Sequence, residues 1–421
     1  MAEARSGGSG PPQARAGGSE PPRAIICAGC ALLCDDAAIV DADGAPALTP
    51  PCPLGTAWLA ERAALTSKPA ATVDGAPASV SAALARAAQL LREARRPLLC
   101  GFAQASVEDV RAALVLAERL RALLLLEVQR GPWPGTAAEA LRGYASATLG
   151  EVRDRSQLIV IWREDPERTH PRLLERLGIG GPPPRLAPGR TLVVVDDRDT
   201  ATAARAQLHL ELPRERDLEA LAILGLLARG RTPSASELVE PLRELHARVE
   251  AAGHVAFVHG AELTGGAGGQ RRALALYELV RALARRLHAV TLALPISAGE
   301  RGAREVLAWQ TGYGTSVDFA TGHPEPVLAT RASAAGESAD VVLAVEQADA
   351  YAAADAALIA LSSVPPATDA AVWIRTAALG VQAAGTAHRL DGVPLTLRAP
   401  MGGDAASTAA LLARLTEEAV A

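Results

Sequence analysis

Short apolar segments alternate with amphipathic helical segments over most of the 421-residue chain, and this alternation constrains the fold more than any other feature. Runs such as residues 158–162 and 357–362 are apolar at nearly every position, as expected for strands that are covered on both faces. Residues 82–94 and 107–120 show helical periodicity between such runs. The pattern predicts an α/β fold with parallel sheets wrapped by helices.

The alternation occurs twice, over residues 80–200 and again over residues 250–380. Two such stretches predict two doubly wound parallel-sheet domains, with ligands at the carboxyl ends of the strands. The predicted divisions are a disordered tail (1–23), a small cap (24–67), α/β domain I (68–230), α/β domain II (231–380), and a C-terminal segment with short β structure that returns to the core (381–421).

Charge and hydropathy exclude several classes of function. The net charge is −5 and both signs are interspersed, so there is no basic stripe for nucleic acid. The first 23 residues are rich in Gly, Pro and Ser and lack the apolar run of a signal peptide, and no later stretch is long enough to span a membrane. We therefore expect a cytoplasmic protein with reduced thiols, which argues against disulfides.

Four of the five cysteines fall within 26 residues, at Cys27, Cys30, Cys34 and Cys52. The spacing Cys-x2-Cys-x3-Cys with a more distant fourth cysteine is typical of a [4Fe–4S] cluster. A single zinc ion is the main rival, although zinc sites usually pair two Cys-x2-Cys knuckles. A vestigial site without metal is the other alternative. Cys100 lies on a predicted core strand and is interpreted as a buried hydrophobic residue.

Polar residues follow the cysteines and several predicted strands. Asp35 and Asp36 either add negative charge beside a cluster or cap a turn. Asp196 follows the strand at residues 191–195, where related folds hold a ribose or a guanine edge, although an aspartate there also suits a turn. Asp165 and His170 follow the strand at 158–162 in the same way.

A glycine-rich loop at residues 260–269 precedes a predicted helix. Such a loop can approach a phosphate group at the helix N-terminus. It contains no Walker lysine, so the pattern is weak.

Several blocks of sequence, taken together, resemble the B subunit of formylmethanofuran dehydrogenase, a branch of the molybdopterin oxidoreductase superfamily. The resemblance extends over residues 24–419, nearly the whole chain. The matching blocks are Cys27–Asp36, Thr148–Arg155, Trp162–Arg172, Thr191–Asp196, Trp309–Tyr313, Val317–Phe319 and Gly385–Pro394.

The resemblance implies a cofactor set and a reaction. In redox-active members this subunit carries a [4Fe–4S] cluster and a tungsten or molybdenum bis-pterin that reduces CO2 to formate, and the formate passes to an amidohydrolase subunit. By this resemblance the metal ligands here are Cys27, Cys30, Cys34 and Cys52. Asp165, Asp196 and His170 are then expected to line what is left of the pterin cleft.

Two departures concern the tungsten or molybdenum centre. Active members have a metal-ligating cysteine where this chain has Gln129, and a neutral amide cannot replace a soft anionic thiolate. They also have an Arg-Gly-His segment where residues 295–299 here read Pro-Ile-Ser-Ala-Gly. The departures predict that no molybdopterin or tungstopterin is bound and that no catalytic residue for CO2 reduction is present.

A subfamily fits these losses, namely the B subunit of the bacterial formyltransferase/hydrolase complex of tetrahydromethanopterin-linked one-carbon metabolism. The resemblance implies a non-redox scaffold whose partners are the amidohydrolase-like A subunit, the formyltransferase and the C-type subunit. The alternative is an active tungsten- or molybdenum-dependent formylmethanofuran dehydrogenase subunit with unusual metal ligation. The retained cysteines fit the scaffold awkwardly, since a cluster without a redox centre has no electrons to carry.

Overall fold

The computed structural model describes residues 22–42, 45–63, 69–126, 136–182, 186–327, 337–347 and 356–420. The strands are β1 (Arg23–Cys27), β2 (Cys34–Ala42), β3 (Ala45–Thr49), β4 (Ala71–Val73), β5 (Ala76–Pro77), β6 (Pro97–Cys100), β7 (Leu123–Leu124), β8 (Leu158–Trp162), β9 (Thr191–Asp196), β10 (Leu208–Glu211), β11 (His254–Gly260), β12 (His288–Leu294), β13 (Val317–Asp318), β14 (Glu325–Pro326), β15 (Val341–Val345), β16 (Ala357–Ser362), β17 (Val372–Arg375), β18 (Gly385–His388) and β19 (Pro394–Leu397). The helices are α1 (Pro53–Ala63), α2 (Val80–Glu93), α3 (Val107–Leu120), α4 (Thr136–Arg142), α5 (Leu149–Arg155), α6 (Pro166–Thr169), α7 (Leu173–Arg176), α8 (Asp217–Leu227), α9 (Val239–Ala251), α10 (Ala261–Thr264), α11 (Gly269–Leu283), α12 (Glu300–Thr311) and α13 (Thr408–Val420).

A five-stranded sheet, in the order β10-β9-β8-β11-β12, is parallel throughout. The chain moves outward from β8 to β10 and then returns to place β11 on the other side of β8. The strand order therefore reverses between β8 and β11. At such a switch point the loops diverge and leave a crevice at the carboxyl ends of the strands.

A nine-stranded sheet has the order β14-β13-β7-β6-β15-β16-β17-β4-β5. Its five middle strands, β7 to β17, are parallel, and the strands at both edges are antiparallel. β6 pairs with β15, where Leu98 lies opposite Val342. The sequence prediction of an α/β fold with parallel sheets is thus confirmed.

The two sheets are interleaved along the chain. Strands β8 to β12 form one sheet, whereas the other sheet takes strands from both before and after them. The boundary predicted at residues 230/231 therefore falls between β10 and β11, two strands of the same sheet. The sequence could not show this, because buried parallel strands share one apolar composition and their periodicity does not identify their partners.

Two smaller units complete the chain. β1, β2 and β3 form an antiparallel sheet at the N-terminal side, and α1 packs against β3. Near the C-terminus β18 and β19 form a hairpin, and α13 packs on α2 and α3. The carboxylate of Asp109 accepts a hydrogen bond of 2.8 Å from the backbone N–H of Ala409 at the start of α13. None of the described helices combines the length and apolar character needed to cross a bilayer.

Buried charges lie at the carboxyl edge of the five-stranded sheet. Arg163 follows β8 with a left-handed φ of 60°, and its side chain is fully buried. Its Nε donates to Asp217 at 3.0 Å, and the indole of Trp162 donates to the same carboxylate at 2.9 Å. These bonds join the end of β8 to the start of α8. The neighbouring residue, Glu164, receives a hydrogen bond of 3.1 Å from the backbone N–H of Glu262.

Glu164 is protonated at neutral pH. Burial raises its pKa from 4.5 to about 8, although the bond from Glu262 opposes the change. Gly260 explains the close packing, since a Cβ there would lie 2.4 Å from Oε1 of Glu164. Because the folded-state pKa lies above the unfolded value, the proton contributes stability below about pH 4.5, and this contribution is lost as the pH rises through 8.

We expect Glu164→Gln, which mimics the protonated acid, to remove this pH dependence. The free energy of unfolding of the wild type should fall relative to that of the variant by a few kcal/mol as the pH rises from about 5 to 8. Denaturant unfolding across that range measures the difference. The same substitution at the exposed Glu240 controls for the loss of one carboxylate. A wild-type minus variant difference that stays constant with pH would show that Glu164 is ionised in the fold.

Candidate metal centre

The N-terminal sheet brings four cysteines to one place. Cys27 ends β1 and Cys34 begins β2, and the two lie opposite each other in the antiparallel register. Cys30 lies in the loop between these strands, and Cys52 precedes α1. All four are free thiols. The antiparallel pairing therefore sets two of the sulfurs, while the loop and the start of α1 supply the others.

Two glycines allow α1 to approach closely to residues 27–34, the segment that carries three of the cysteines and is called the cysteine loop below. A Cβ on Gly55 would lie 2.8 Å from the sulfur of Cys27. A Cβ on Gly29 would lie 2.9 Å from the Cα of Gly55. Neither distance is compatible with a larger side chain, so the sequence reserves this space for the sulfurs and whatever they bind.

The four cysteines line one cavity, together with Leu32, Leu48 and Arg172. Within residues 22–42 and 45–63, which contain the four cysteines, no three of the sulfur atoms lie within 4.8 Å of one another. A tetrahedral zinc ion with bonds of about 2.3 Å would bring its sulfurs to about 3.8 Å apart. The wider spacing suits a group that bridges four separated sulfurs, as a [4Fe–4S] cluster does. The donor set therefore fits such a cluster better than a single ion.

The thiols of the cysteine loop hold their protons strongly. Burial raises the pKa of Cys27 and of Cys30 to about 12, and that of Cys34 to about 11. The thiolate is the form that binds metal, so a bound metal must displace these protons.

Arg172 lines the cavity, and two further arginines pair with the aspartates that follow Cys34. Arg172 makes a bidentate contact with Asp36, with bonds of 2.9 and 2.7 Å. Arg176 pairs with Asp35 and lies 3.2 Å from Asp36, and Arg389 lies 3.9 Å from Asp35. The charges of the two aspartates are thus compensated, and they act as anchors rather than as a source of unbalanced negative charge.

Backbone hydrogen bonds tie the cysteine loop to the rest of the chain. Ala31 donates to the carbonyl of Ile296 at 3.0 Å, and Leu390 donates to the carbonyl of Ala31 at 2.9 Å. With Arg172, these contacts bring together sequence blocks near residues 30, 170 and 390. Three of the seven blocks that resembled one family by sequence therefore meet at residues 27–36.

The three residues predicted for a pterin cleft bind within the chain. Asp165 accepts a 2.6 Å bond from the hydroxyl of Thr202, and Asp196 is buried against the guanidinium of Arg198. Burial raises the pKa of Asp196, but the bonds from Arg198 outweigh it and the net pKa is below the usual range. The ring of His170 contacts a different part of the chain, since its Nε2 lies 2.7 Å from the carbonyl oxygen of Pro295. Their proposed role in cofactor binding stays a prediction.

Burial keeps His170 uncharged. Its pKa falls to about 4 because the ring is removed from water, although the bond to the Pro295 carbonyl opposes the change. In the neutral ring Nε2 carries the proton and donates to that carbonyl. His170 therefore anchors the start of the 295–299 loop rather than offering Nε2 to a ligand.

Gln129, at the expected metal-ligand position, lies outside the described residues, but the helices that follow the two altered segments are described. Glu139 on α4 accepts a 2.6 Å bond from Arg304 on α12, and both side chains are largely buried. Arg301 donates to the hydroxyl of Tyr144 at 2.7 Å. Polar side chains that follow the segment containing Gln129 are thus paired with polar side chains that follow residues 295–299.

Sequence reasoning missed the arginines and Glu139. Arg172 belonged to a recognised block, but no role followed from the block alone. The acidic pair Asp35-Asp36 directly after a cysteine was the available signal, because two carboxylates beside a buried site require cations. Glu139 and Arg304 are 165 residues apart, and nothing in their local sequence indicates that they meet.

No protein-family model matches the chain. It is similar to the B subunit of the tungsten-containing formylmethanofuran dehydrogenase 2 of Methanocaldococcus jannaschii, with 28% identity over 406 residues, 89% of this chain and 93% of the relative. The protein of the same name from Methanococcus maripaludis is 26% identical over 335 residues, 74% of this chain and 76% of the relative.

A solved structure is also similar. It is a chain in the X-ray crystal structure of the formyltransferase/hydrolase complex from Methylorubrum extorquens in complex with methylofuran. The TM-score is 0.67 with 26% identity, over 83% of this chain and 99% of the other. These findings confirm the resemblance drawn from the sequence blocks: the chain is a homologue of the formylmethanofuran dehydrogenase B subunit and shares its fold with a chain of the formyltransferase/hydrolase complex.

Proposed function

We propose that this chain is the B-type subunit of a formyltransferase/hydrolase complex in tetrahydromethanopterin-linked one-carbon metabolism. It works in the cytoplasm as a non-redox scaffold and carries a [4Fe–4S] cluster in its N-terminal cap. The observation that carries the proposal is that residue 129 is glutamine, at the position that the sequence resemblance assigns to the metal-ligating cysteine of the active family. An amide does not replace a thiolate as a ligand to tungsten or molybdenum.

The paired side chains on α4 and α12 support the loss of the metal centre. α4 follows the segment that contains Gln129, and α12 follows residues 295–299, where the arginine and histidine of the active family are absent. A 2.6 Å ion pair between Glu139 and Arg304 joins the two helices. An ion pair this buried is costly to separate, because one unpaired charge would be left in a poorly solvated place. The two helices that follow the altered segments are therefore joined by a contact that resists separation.

The cap supports the retention of a cluster. Its four cysteines line one cavity, and among the described residues no three of their sulfur atoms lie within 4.8 Å of one another, which favours a cluster over a single zinc ion. A sheet of three short strands and one helix has little core of its own, so a bound cluster would stabilise it by linking the loop to α1. In a scaffold this structural role does not need an electron acceptor.

The partners follow from the structural relative. That chain was crystallised as part of a formyltransferase/hydrolase complex. We propose that the present chain assembles with an amidohydrolase-like A subunit, a formyltransferase and a C-type subunit. Its own contribution is to hold these subunits together while the formyl group is moved from the pterin carrier and hydrolysed to formate. It binds neither nucleic acid nor membrane.

The alternative is an active tungsten- or molybdenum-dependent subunit. Both curated relatives are named as tungsten-containing formylmethanofuran dehydrogenase subunits. The four retained cysteines favour this alternative, because a cluster is normally kept to carry electrons. Under this alternative another residue replaces the missing thiolate, and the chain catalyses the interconversion of CO2 and the formyl group.

Activity of the purified complex separates the two proposals. We expect the complex to release formate from the formylated carrier but to give no viologen reduction with formate or with that carrier. The reason is that electrons cannot leave the substrate without the tungsten or molybdenum centre. A tungsten-containing formylmethanofuran dehydrogenase is the positive control for the dye assay. Substrate-dependent dye reduction by the purified complex would contradict the scaffold role.

Iron content of cysteine variants tests the cluster. We expect Cys30→Ser to lose most of the bound iron, because it removes one of the cluster's ligands, and to make the cap more sensitive to proteolysis. Cys100→Ala is the matched control, since Cys100 is buried on β6 away from the cavity. Iron and labile sulfide are measured on each protein after anaerobic purification. Full iron content in both Cys30→Ser and Cys30→Ala, the second of which has no donor atom, would rule out ligation by this residue.

A further inference from the structure

One buried cation lies in the wall of the thiol cavity. Arg172 is among the residues that line this cavity together with the four cysteines. Its guanidinium is fixed by Asp36 on one side and by Glu175 on the other, with bonds of 2.6 and 3.0 Å to the glutamate. Two carboxylates therefore hold the planar group in one orientation.

The positive and negative members of this group differ in their access to water. The side chain of Arg172 is 6% exposed, whereas those of Asp36 and Glu175 are 40% and 61% exposed. Water screens the exposed carboxylates, but screens the buried guanidinium much less. The side of the group that faces the sulfurs is consequently positive, although two carboxylates contact the arginine.

Anchoring of the cap does not depend on Arg172 alone. The backbone bonds of Ala31 with Ile296 and Leu390 hold the cysteine loop, and Arg176 and Arg389 hold Asp35. A residue that served only to dock the cap would therefore be partly redundant. Docking of the cap does not explain why the side chain of Arg172 is buried in the wall of the cavity that the four cysteines line.

We propose that Arg172 is a positioning residue for the iron–sulfur group: its buried guanidinium, held in the wall of the thiol cavity, raises the reduction potential of the cluster. The proposal rests on the [4Fe–4S] cluster proposed above. Four thiolates bring negative charge into the cavity, and a nearby cation stabilises that charge. It stabilises the reduced cluster most, because reduction adds one more negative charge, and cluster potentials depend on such surroundings.

The test is a potentiometric titration of the cluster, followed by electron paramagnetic resonance at one fixed pH. The full chain is purified anaerobically in its complex, and iron and labile sulfide are measured first. We expect Arg172→Gln to lower the midpoint potential and Arg172→Lys, which keeps the charge, to stay near the wild type. Asp36→Asn removes a compensating carboxylate and should raise the potential. Arg205→Gln is the control, since Arg205 pairs with Glu167 and does not line the cavity.

Each outcome bears on one claim. A wild-type complex without iron would remove the cluster proposal, and this one with it. A wild-type complex that holds iron, with unchanged potentials in Arg172→Gln and Asp36→Asn, would overturn only the role of Arg172. If Arg172→Gln loses its iron, the midpoint potential of the Asp36→Asn variant tests the proposal instead. A raised midpoint potential in Asp36→Asn supports the role of the guanidinium charge, and an unchanged midpoint potential contradicts it.

Discussion

The pairing of β6 with β15 is the contact on which the interleaved fold depends. It joins residues 97–100 to residues 341–344 by a parallel ladder. All five strands of the other sheet, β8 to β12, lie between these two partners in the sequence. Because both sheets are parallel in their centres, each needs helices on its faces. Distant segments of the chain are thereby placed against the small N-terminal cap, where Arg172 and Leu390 both contact the cysteine loop region.

Much of the local structure could be predicted from the sequence. The strands at 158–162 and 357–362 and the helix at 107–120 have the predicted bounds, since apolar runs and helical periodicity are local signals. The long helix Glu300–Thr311 was not predicted, because glycines and charged residues obscure its pattern. The interleaving of the sheets was also missed, since it depends on which apolar strands pair.

The candidate site likewise has some features that could be predicted from the sequence and others that could not. Cys27, Cys30, Cys34 and Cys52 could be grouped from spacing alone, because three of them fall within eight residues, and the structure places all four around one cavity. The role of Asp35 and Asp36 could not be decided, since their arginine partners are more than a hundred residues away. Asp165, Asp196 and His170 do follow their strands as expected. Their contacts to Thr202, Arg198 and Pro295 are tertiary and were invisible in the sequence.

The central claim is that this chain keeps an iron–sulfur cap while having lost the tungsten or molybdenum centre of its relatives. Gln129 and the ion pair between Glu139 on α4 and Arg304 on α12 support the loss of the tungsten or molybdenum centre. The cavity lined by four cysteines supports the retention of the iron–sulfur cluster. Elemental analysis of the anaerobically purified complex tests both halves at once. The account predicts about four iron atoms and about four labile sulfides per chain, with neither tungsten nor molybdenum. Tungsten or molybdenum at one atom per chain would contradict it.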